Sequence, residues 1–222
     1  MRNDKRDAQI VATARTKSKG SEIWHRFRKN KGAIIGLTIL TILVLVALTV
    51  DLWLPEEKIS GFNVLEKLQK PSAQHIFGTD EVGRDLFWRT VYGTKYSLAI
   101  GFVAVMISAV IGVPLGAIAG YYGKAVETII MRLADIFSAI PSILLAIAIV
   151  SVLGRTTGNL MLAVGIAAVP QFTRITRASV LTVKNEEYVE AARALGKTDA
   201  YIIFKHILPN CLSPIIVQTT LR

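Results

Sequence analysis

The chain is poor in cysteine, since Cys211 is the one cysteine among its 222 residues. No disulfide can form within the chain, and a metal cluster built on several cysteines is excluded. The three histidines, His25, His75 and His206, stand far apart and fall on different sides of the long apolar segments or at their edges. We therefore expect no metal site.

Two functional signals are also missing from the sequence. It contains no Gly-x-x-x-x-Gly-Lys-Ser/Thr phosphate loop, so any nucleotide has to be held by another chain. The N-terminal residues do not read as a secretory signal peptide, because the first apolar run is too long for one and no small-residue cleavage pattern follows it. We expect this segment to stay attached.

Long uncharged apolar runs are abundant instead. Hydrophobic residues make up 52% of the chain, which is too apolar for an ordinary soluble domain of this length. A helix needs about 20 apolar residues to cross a hydrocarbon core about 30 Å thick. Four runs meet this need, at residues 33–53, 96–123, 133–154 and 156–173. The predicted fold class is all-α, a polytopic transmembrane helical bundle.

The distribution of basic residues predicts the orientation. Residues 1–31 hold ten Lys and Arg against three acids, whereas residues 55–95 hold six of each. Cytoplasmic segments carry the excess of positive charge, so the N-terminus is predicted to be cytoplasmic and residues 55–95 extracytoplasmic. Four crossings return the chain to the cytoplasm near Arg174, where residues 174–206 again show a basic bias, with six Lys and Arg against four acids.

These assignments give a predicted division of the chain. A basic tail (1–31) precedes the first transmembrane helix (32–54), an extracytoplasmic segment (55–95) and a transmembrane core (96–222), which includes a cytoplasmic loop (174–208). The net charge of +10 is explained by this topology and by attraction to anionic lipid headgroups. The basic tail has no interleaved aromatic residues, so we expect membrane lipid and no nucleic acid as its partner.

The cytoplasmic loop contains an amphipathic stretch. Asn185 is a good N-cap and Gly196 a good terminator, which predicts a short helix over 186–195. Tyr188, Ala191, Ala192 and Leu195 recur on it at helical spacing and predict a stripe that a partner can approach closely. A second short helix is predicted from Thr198 or Asp199 to near Pro209. The alternative is a solvated loop with two incidental helical turns.

Three blocks of this loop resemble the signature of permease subunits of bacterial ABC importers: Glu190-Ala191-Ala192, Gly196 and Ile207-Leu208-Pro209. The resemblance implies a type I ABC importer permease fold, of the MetI-like kind, and a helix that docks on a nucleotide-binding subunit. The docking residues it implies are Tyr188, Glu190, Ala191, Ala192, Leu195 and Gly196.

A second block, residues 77–98, is similar to the segment before the second span in permeases of the dipeptide, oligopeptide and nickel group, specifically their second permease type. Trp88 and Lys95 depart from the usual residues of that block. Its signature residues are Gly78, Thr79, Asp80, Gly83, Arg84 and Asp85. Taken alone, the block is a turn leading into a helix, with exposed ion pairs Asp80/Arg84 and Asp85/Arg89. It has a structural role or contacts the partner permease or an external binding protein.

The resemblance implies a transport subunit and not an enzyme, in the cytoplasmic (inner) membrane of a bacterium or archaeon. Its implied partners are a sister permease, two ATPase subunits that bind ATP and magnesium, and an extracytoplasmic solute-binding protein; no cofactor belongs to this chain. Di- or oligopeptides are the expected cargo, with nickel or another small solute as the alternative. From other classes, an ion-coupled secondary transporter or a membrane scaffold without transport stays open.

Several residues inside the predicted spans stand out. Asp135 is expected to pair with Arg132, one turn away, although an intramembrane acid is also a functional candidate. Pro114 and Pro141 should bend their helices. The small residues Gly112, Gly116 and Gly120 should allow close helix packing.

The end of the sequence begins a fifth apolar run, from Cys211 to Leu221, that is too short to span. The resemblance implies further helices here, so we expect a C-terminally truncated form of the family domain.

Overall fold

The structure is a computed structural model that describes residues 27–55, 58–59, 61 and 63–221. The described part of the chain is helical and contains no β-strand beyond one isolated bridge between Thr79 and Asp85. The predicted all-α class is confirmed. The chain forms two compact units, one ending at Lys95 and the other beginning at Tyr96. Most of the predicted basic tail, residues 1–26, lies outside the described residues.

We number the following α-helices of the described residues in chain order. They are α1 (Lys31–Trp53), α2 (Leu86–Tyr122), α3 (Lys124–Ala139), α4 (Ser142–Leu153), α5 (Thr157–Val183), α6 (Glu187–Ala194), α7 (Asp199–Ile202) and α8 (Leu208–Thr220). A short 3₁₀-helix covers Val64–Glu66, and a π-helical turn, Ile203–Ile207, joins α7 to α8.

Among the described residues, three helical segments are long and apolar enough to cross a membrane. They are α1, α2 and the segment Asp199–Thr220; α3 and α4 together make a fourth if the bent pair is one span. Helix α5, the fourth predicted span, is not among them. It lies at the centre of the second unit, where α3, α4 and α8 pack against it. A helix shielded by its neighbours needs less apolar surface than one that faces lipid.

The first unit contains α1, whose N-terminus is capped by Asn30: the Ala33 amide donates to the Asn30 side chain at 3.2 Å. Val50 is its one buried residue, and most of its other side chains are exposed. A helix so apolar and so little covered by protein has the surface expected of a lipid-facing span. The first predicted span is confirmed as a helix.

The second unit depends on close contact between α2 and α5. A methyl group at Gly116 would lie 2.4 Å from the Thr173 carbonyl oxygen, and one at Gly112 would lie 2.6 Å from Cβ of Phe172. Gly120 approaches Val180 in the same way. The predicted close packing of this glycine series is therefore confirmed, because only hydrogen at these positions lets the two backbones come so near.

The third predicted span is broken in the middle. Helices α3 and α4 meet at an angle of 86°, with Ile140 and Pro141 between them. Proline has no amide hydrogen to donate and disfavours the helical conformation of the residue before it. The bend predicted at Pro141 is thus a complete break, whereas Pro114 lies inside α2 without ending it.

Helices α5 and α8 extend beyond their predicted bounds. Helix α5 continues to Val183, ten residues past the predicted end of the fourth span at Thr173. The second cytoplasmic helix does not end near Pro209: a π-helical turn, Ile203–Ile207, precedes Leu208, and the helix runs on to Thr220. The connection between long helices is therefore 184–198, shorter than the predicted loop 174–208.

Candidate functional site

Helix α6 lies in this connection, and its C-terminal end has a clear stop signal. Its N-cap is Glu186 and not Asn185, one residue after the prediction. Glu187 and Glu190 occupy the first turn and Arg193 the last, which matches the charge preference of the helix dipole. Gly196 has φ of +71°, and its amide donates to the Arg193 carbonyl at 2.9 Å. The predicted glycine terminator is confirmed, because left-handed backbone strains other residues.

One face of α6 is anchored in the core of the second unit. Val189 and Ala192 are 0% and 5% exposed and belong to a buried cluster that collects residues from α2, α5 and the segment Asp199–Thr220. The other members of that cluster are Ala117, Val180, Ile202, Ile203, Ile207, Cys211 and Ile215. Burial of these side chains fixes the orientation of α6 against the longer helices.

The other face of α6 is exposed and includes Tyr188, Glu190 and Ala191, with the C-cap residue Leu195 beside them. Leu195 is 77% exposed and Tyr188 40%. Ala192 was predicted to belong to this stripe, which is wrong: it is on the buried side, one turn after Val189. The apolar residues Val189 and Ala192, three apart, were the signal for an inward face that the sequence analysis did not use.

Polar contacts attach α6 and its flanks to the end of α2. The Tyr121 hydroxyl donates to Asp199 at 2.7 Å, and the Arg193 guanidinium lies 5.8 Å from the centre of the Tyr121 ring. The Lys184 ammonium donates to the Gly120 carbonyl at 3.0 Å. These contacts were not predicted, since the partners are more than sixty residues apart along the chain. Together with the buried cluster they link α6 to α2.

The signature block of the first unit forms a compact turn before α2. Gly78 and Gly83 have φ of +76° and +80°, and a methyl group at Gly83 would lie 1.8 Å from the Asn63 carbonyl oxygen. Thr79 is buried; its hydroxyl accepts from the Gln69 amide at 2.8 Å and donates to the Glu66 carbonyl. These residues hold the block onto the preceding segment.

Asp80 is the polar centre of this turn. It accepts from the amides of Val82 and Arg84, both at 3.0 Å, and from the Arg84 guanidinium at 2.8 Å. Partial burial alone would raise the pKa of Asp80, but these hydrogen bonds outweigh it and hold the pKa well below its ordinary value.

The ion pairs of the block differ in part from the prediction. The Asp80/Arg84 pair is present, but the Arg89 guanidinium binds Asp80 at 2.5 Å and not Asp85. Asp85 instead accepts from the Phe87 amide at the start of α2 and lies 2.9 Å from Nδ1 of His75. All of these contacts are within the turn or its flanks, which favours the structural role of the block.

Asp135 also has a different partner from the one predicted. The Arg174 guanidinium of α5 donates to Asp135 of α3 at 2.9 Å. A second pair, Glu127 with Arg177, joins the same two helices, and Nε of Arg177 donates to Glu127 at 2.6 Å. The i,i+3 spacing to Arg132 pointed to a local pair, but α5 brings a cation from a distance in sequence.

Two family descriptions match this chain. Residues 112–222 match the binding-protein-dependent transport system inner membrane component, and residues 18–71 match the N-terminal transmembrane domain of oligopeptide transport permease C. The first match covers the end of α2 and all of α3 to α8.

Curated relatives agree with these families. The chain is 48% identical over 200 residues to the dipeptide transport system permease protein DppC of Alkalihalophilus pseudofirmus, covering 90% of this chain and 66% of the relative. It is 38% identical over 206 residues to that of Haemophilus influenzae, with 90% and 70% covered. It is 37% identical over 201 residues to the glutathione transport system permease protein GsiD of Pectobacterium atrosepticum, with 90% and 67% covered.

The chain therefore spans about two thirds of the length of these relatives. Its glycine-packed helical core, its apolar spans and both sequence matches lead to one assignment. The chain belongs to the inner-membrane permeases of ABC importers of the dipeptide and oligopeptide group, and within it to the second permease type.

Proposed function

We propose that this chain forms, with a sister permease, the pathway of an ATP-driven peptide importer that has two ATPase subunits, and that α6 couples this chain to one of them. An extracytoplasmic binding protein delivers the di- or oligopeptide. ATP and magnesium are bound by the ATPase subunits, and this chain contributes no catalytic residue. The N-terminus is cytoplasmic, which places α6 on the side where ATP is available.

The observation that carries the proposal is the two-sided construction of α6. A short helix on the water-exposed side of a membrane protein would gain little by exposing Leu195 unless a partner covered it. The opposite face, Val189 and Ala192, is fixed to the cluster shared with α2, α5 and α8. Movement of a partner bound to the exposed face of α6 is therefore transmitted to α2, α5 and α8.

The mechanism follows from this attachment. ATP binding brings the two ATPase subunits together, and the α6 helix of each permease moves with the subunit that holds it. Because α6 packs against the end of α2 and the residues that flank α6 are hydrogen-bonded to α2, the spans change from an inward-open to an outward-open arrangement. ATP hydrolysis and release of ADP and phosphate then return the spans to the inward-open arrangement.

Peptide is proposed as cargo because the relatives include transporters named for dipeptides and for glutathione. Reconstitution in liposomes with the binding protein tests this. Hydrolysis and uptake stimulated by a dipeptide, and not by nickel, are expected. Stimulation by nickel alone would make the metal the cargo.

The docking proposal is tested with a pair of leucines that are both highly exposed. Leu195→Asp should reduce co-purification of the ATPase subunits, because it places a charge in the interface. Leu65→Asp is the control, since Leu65 is 94% exposed and lies in the segment before α2, which is predicted to be extracytoplasmic. Equal recovery of ATPase subunits with both variants would contradict docking through α6.

A further inference from the structure

The ion pair between Asp135 and Arg174 is unusually exposed for its position. The Asp135 side chain is 55% exposed and that of Arg174 41%. The second pair between the same helices, Glu127 with Arg177, is more covered, at 23% and 32%. The first pair is therefore less covered by protein than the second, although each joins a carboxylate of α3 to an arginine of α5.

If α5 crosses the membrane together with the helices that cover it, its length places Arg174 just inside the far edge of the hydrocarbon layer. Its 27 residues give a length of about 40 Å, roughly 10 Å more than the hydrocarbon core. Arg174 lies about 26 Å from the start of the helix. If α5 begins at one edge of the core and crosses it without tilt, Arg174 lies about 4 Å inside the other edge; a tilted helix, or one that begins outside the core, places Arg174 deeper.

A half-exposed ion pair at this depth is costly if it faces lipid. Ionisable side chains within transmembrane segments face the bundle interior or a water-filled cavity, and there they mark routes for substrates and ions. We therefore expect the exposed atoms of the Asp135 and Arg174 side chains to contact water. In a permease, the water-filled space at this depth is the translocation pathway.

We propose that Asp135 and Arg174 line the pathway and bind the charged termini of a free peptide, Asp135 taking the ammonium group and Arg174 the carboxylate. This inference rests on the proposed function, because it takes a peptide as the cargo. A guanidinium binds a carboxylate with two parallel hydrogen bonds. Each side chain exchanges one counter-charge for another, so neither is left unpaired when the peptide enters.

The first test is water access at the pair. In a Cys211→Ser background, Asp135→Cys in the assembled importer should react with a membrane-impermeant charged thiol reagent, and a dipeptide should slow the reaction. Ile129→Cys is the control on the same helix: Ile129 is 62% exposed and should face lipid and not react. An assembled complex in which position 135 does not react would overturn the inference.

The second test is recognition of the peptide termini, measured as the ratio of KM for a dipeptide with an amidated carboxyl end to KM for the free dipeptide. Arg174→Gln should lower this ratio by about tenfold, the value of one charge-assisted hydrogen-bonded contact. Asp135→Asn should do the same for a peptide with an acetylated amino end. The same binding protein is used throughout, so its own preference cancels.

Variants of the other pair serve as the matched control. Arg177→Gln should reduce the yield of assembled complex and leave both ratios unchanged. Unchanged ratios in Arg174→Gln and Asp135→Asn would overturn the pathway site while leaving peptide transport intact. Failure of the unaltered importer to transport any peptide would instead contradict the proposed function.

Discussion

The contact between α2 and α5 allows a quantitative prediction at Gly116. A methyl group there would lie 2.4 Å from the Thr173 carbonyl oxygen and 2.7 Å from Cβ of Thr176. Ordinary contact begins at roughly 3.4 Å, so Gly116→Ala has to separate the helices by about 1 Å. Overpacking of this kind costs about 1–3 kcal/mol, and a gap of this size also weakens the contacts of Gly112 and Gly120.

The assay is the thermal stability of the purified complex, with Gly101→Ala as the control. Gly101 is on the same helix and has no atom within 4 Å of an added methyl group, so alanine there should be neutral or slightly stabilising. Gly116→Ala should melt at a clearly lower temperature. Equal melting temperatures for the two variants would refute the close approach of α2 to α5.

Two further predictions concern the turn before α2. Gly83→Ala should unfold this turn, because the added methyl group meets the Asn63 carbonyl oxygen at 1.8 Å. Cleavage of the turn by a protease should therefore become faster. Gly93→Ala is the control and should leave the cleavage rate unchanged, because a methyl group at Gly93 meets no atom within 4 Å. The lowered pKa of Asp80 means that its stabilising effect is complete above the unfolded value of about 3.9 and is lost only as pH falls through the lower folded value. The unaltered turn should therefore resist protease at about pH 5 as at about pH 7, whereas Asp80→Asn should be cleaved faster at both; equal cleavage rates would contradict this.

Local sequence rules predicted the features that depend on neighbouring residues. The C-terminal end of α6 follows from the terminating glycine, whereas its start was misplaced by one residue, because the helix begins after Glu186, whose side chain makes no capping hydrogen bond. The apolar length of α1 predicted its bounds closely. The glycines four residues apart in α2 predicted a close helix contact, although not its partner.

Features that depend on tertiary contact could not be predicted in the same way. Charge was taken to end a span at Arg174, but Asp135 neutralises that arginine and the helix continues to Val183. Pro209 was taken to end a helix, but a π-helical turn before it lets the helix continue. Ala192 fits a partner-facing stripe by spacing alone, and only the packing of α6 shows that it faces inward.

The size of the break between α3 and α4 was also beyond the sequence. Pro141 indicated a bend, but its 86° angle depends on how both helices pack against α5. The contacts of α3 with α5 include the ion pairs of Asp135 and Glu127, whose partners are 39 and 50 residues away in the chain. No local pattern contains that information.

The most direct test of the account is photo-crosslinking from α6 in an actively transporting importer. A photoreactive amino acid at Leu195 should crosslink to an ATPase subunit, in an amount that changes when ATP is trapped. The same amino acid at Leu65 should give no such product. Absence of an ATPase crosslink from Leu195 in complexes that transport peptide would contradict coupling through α6.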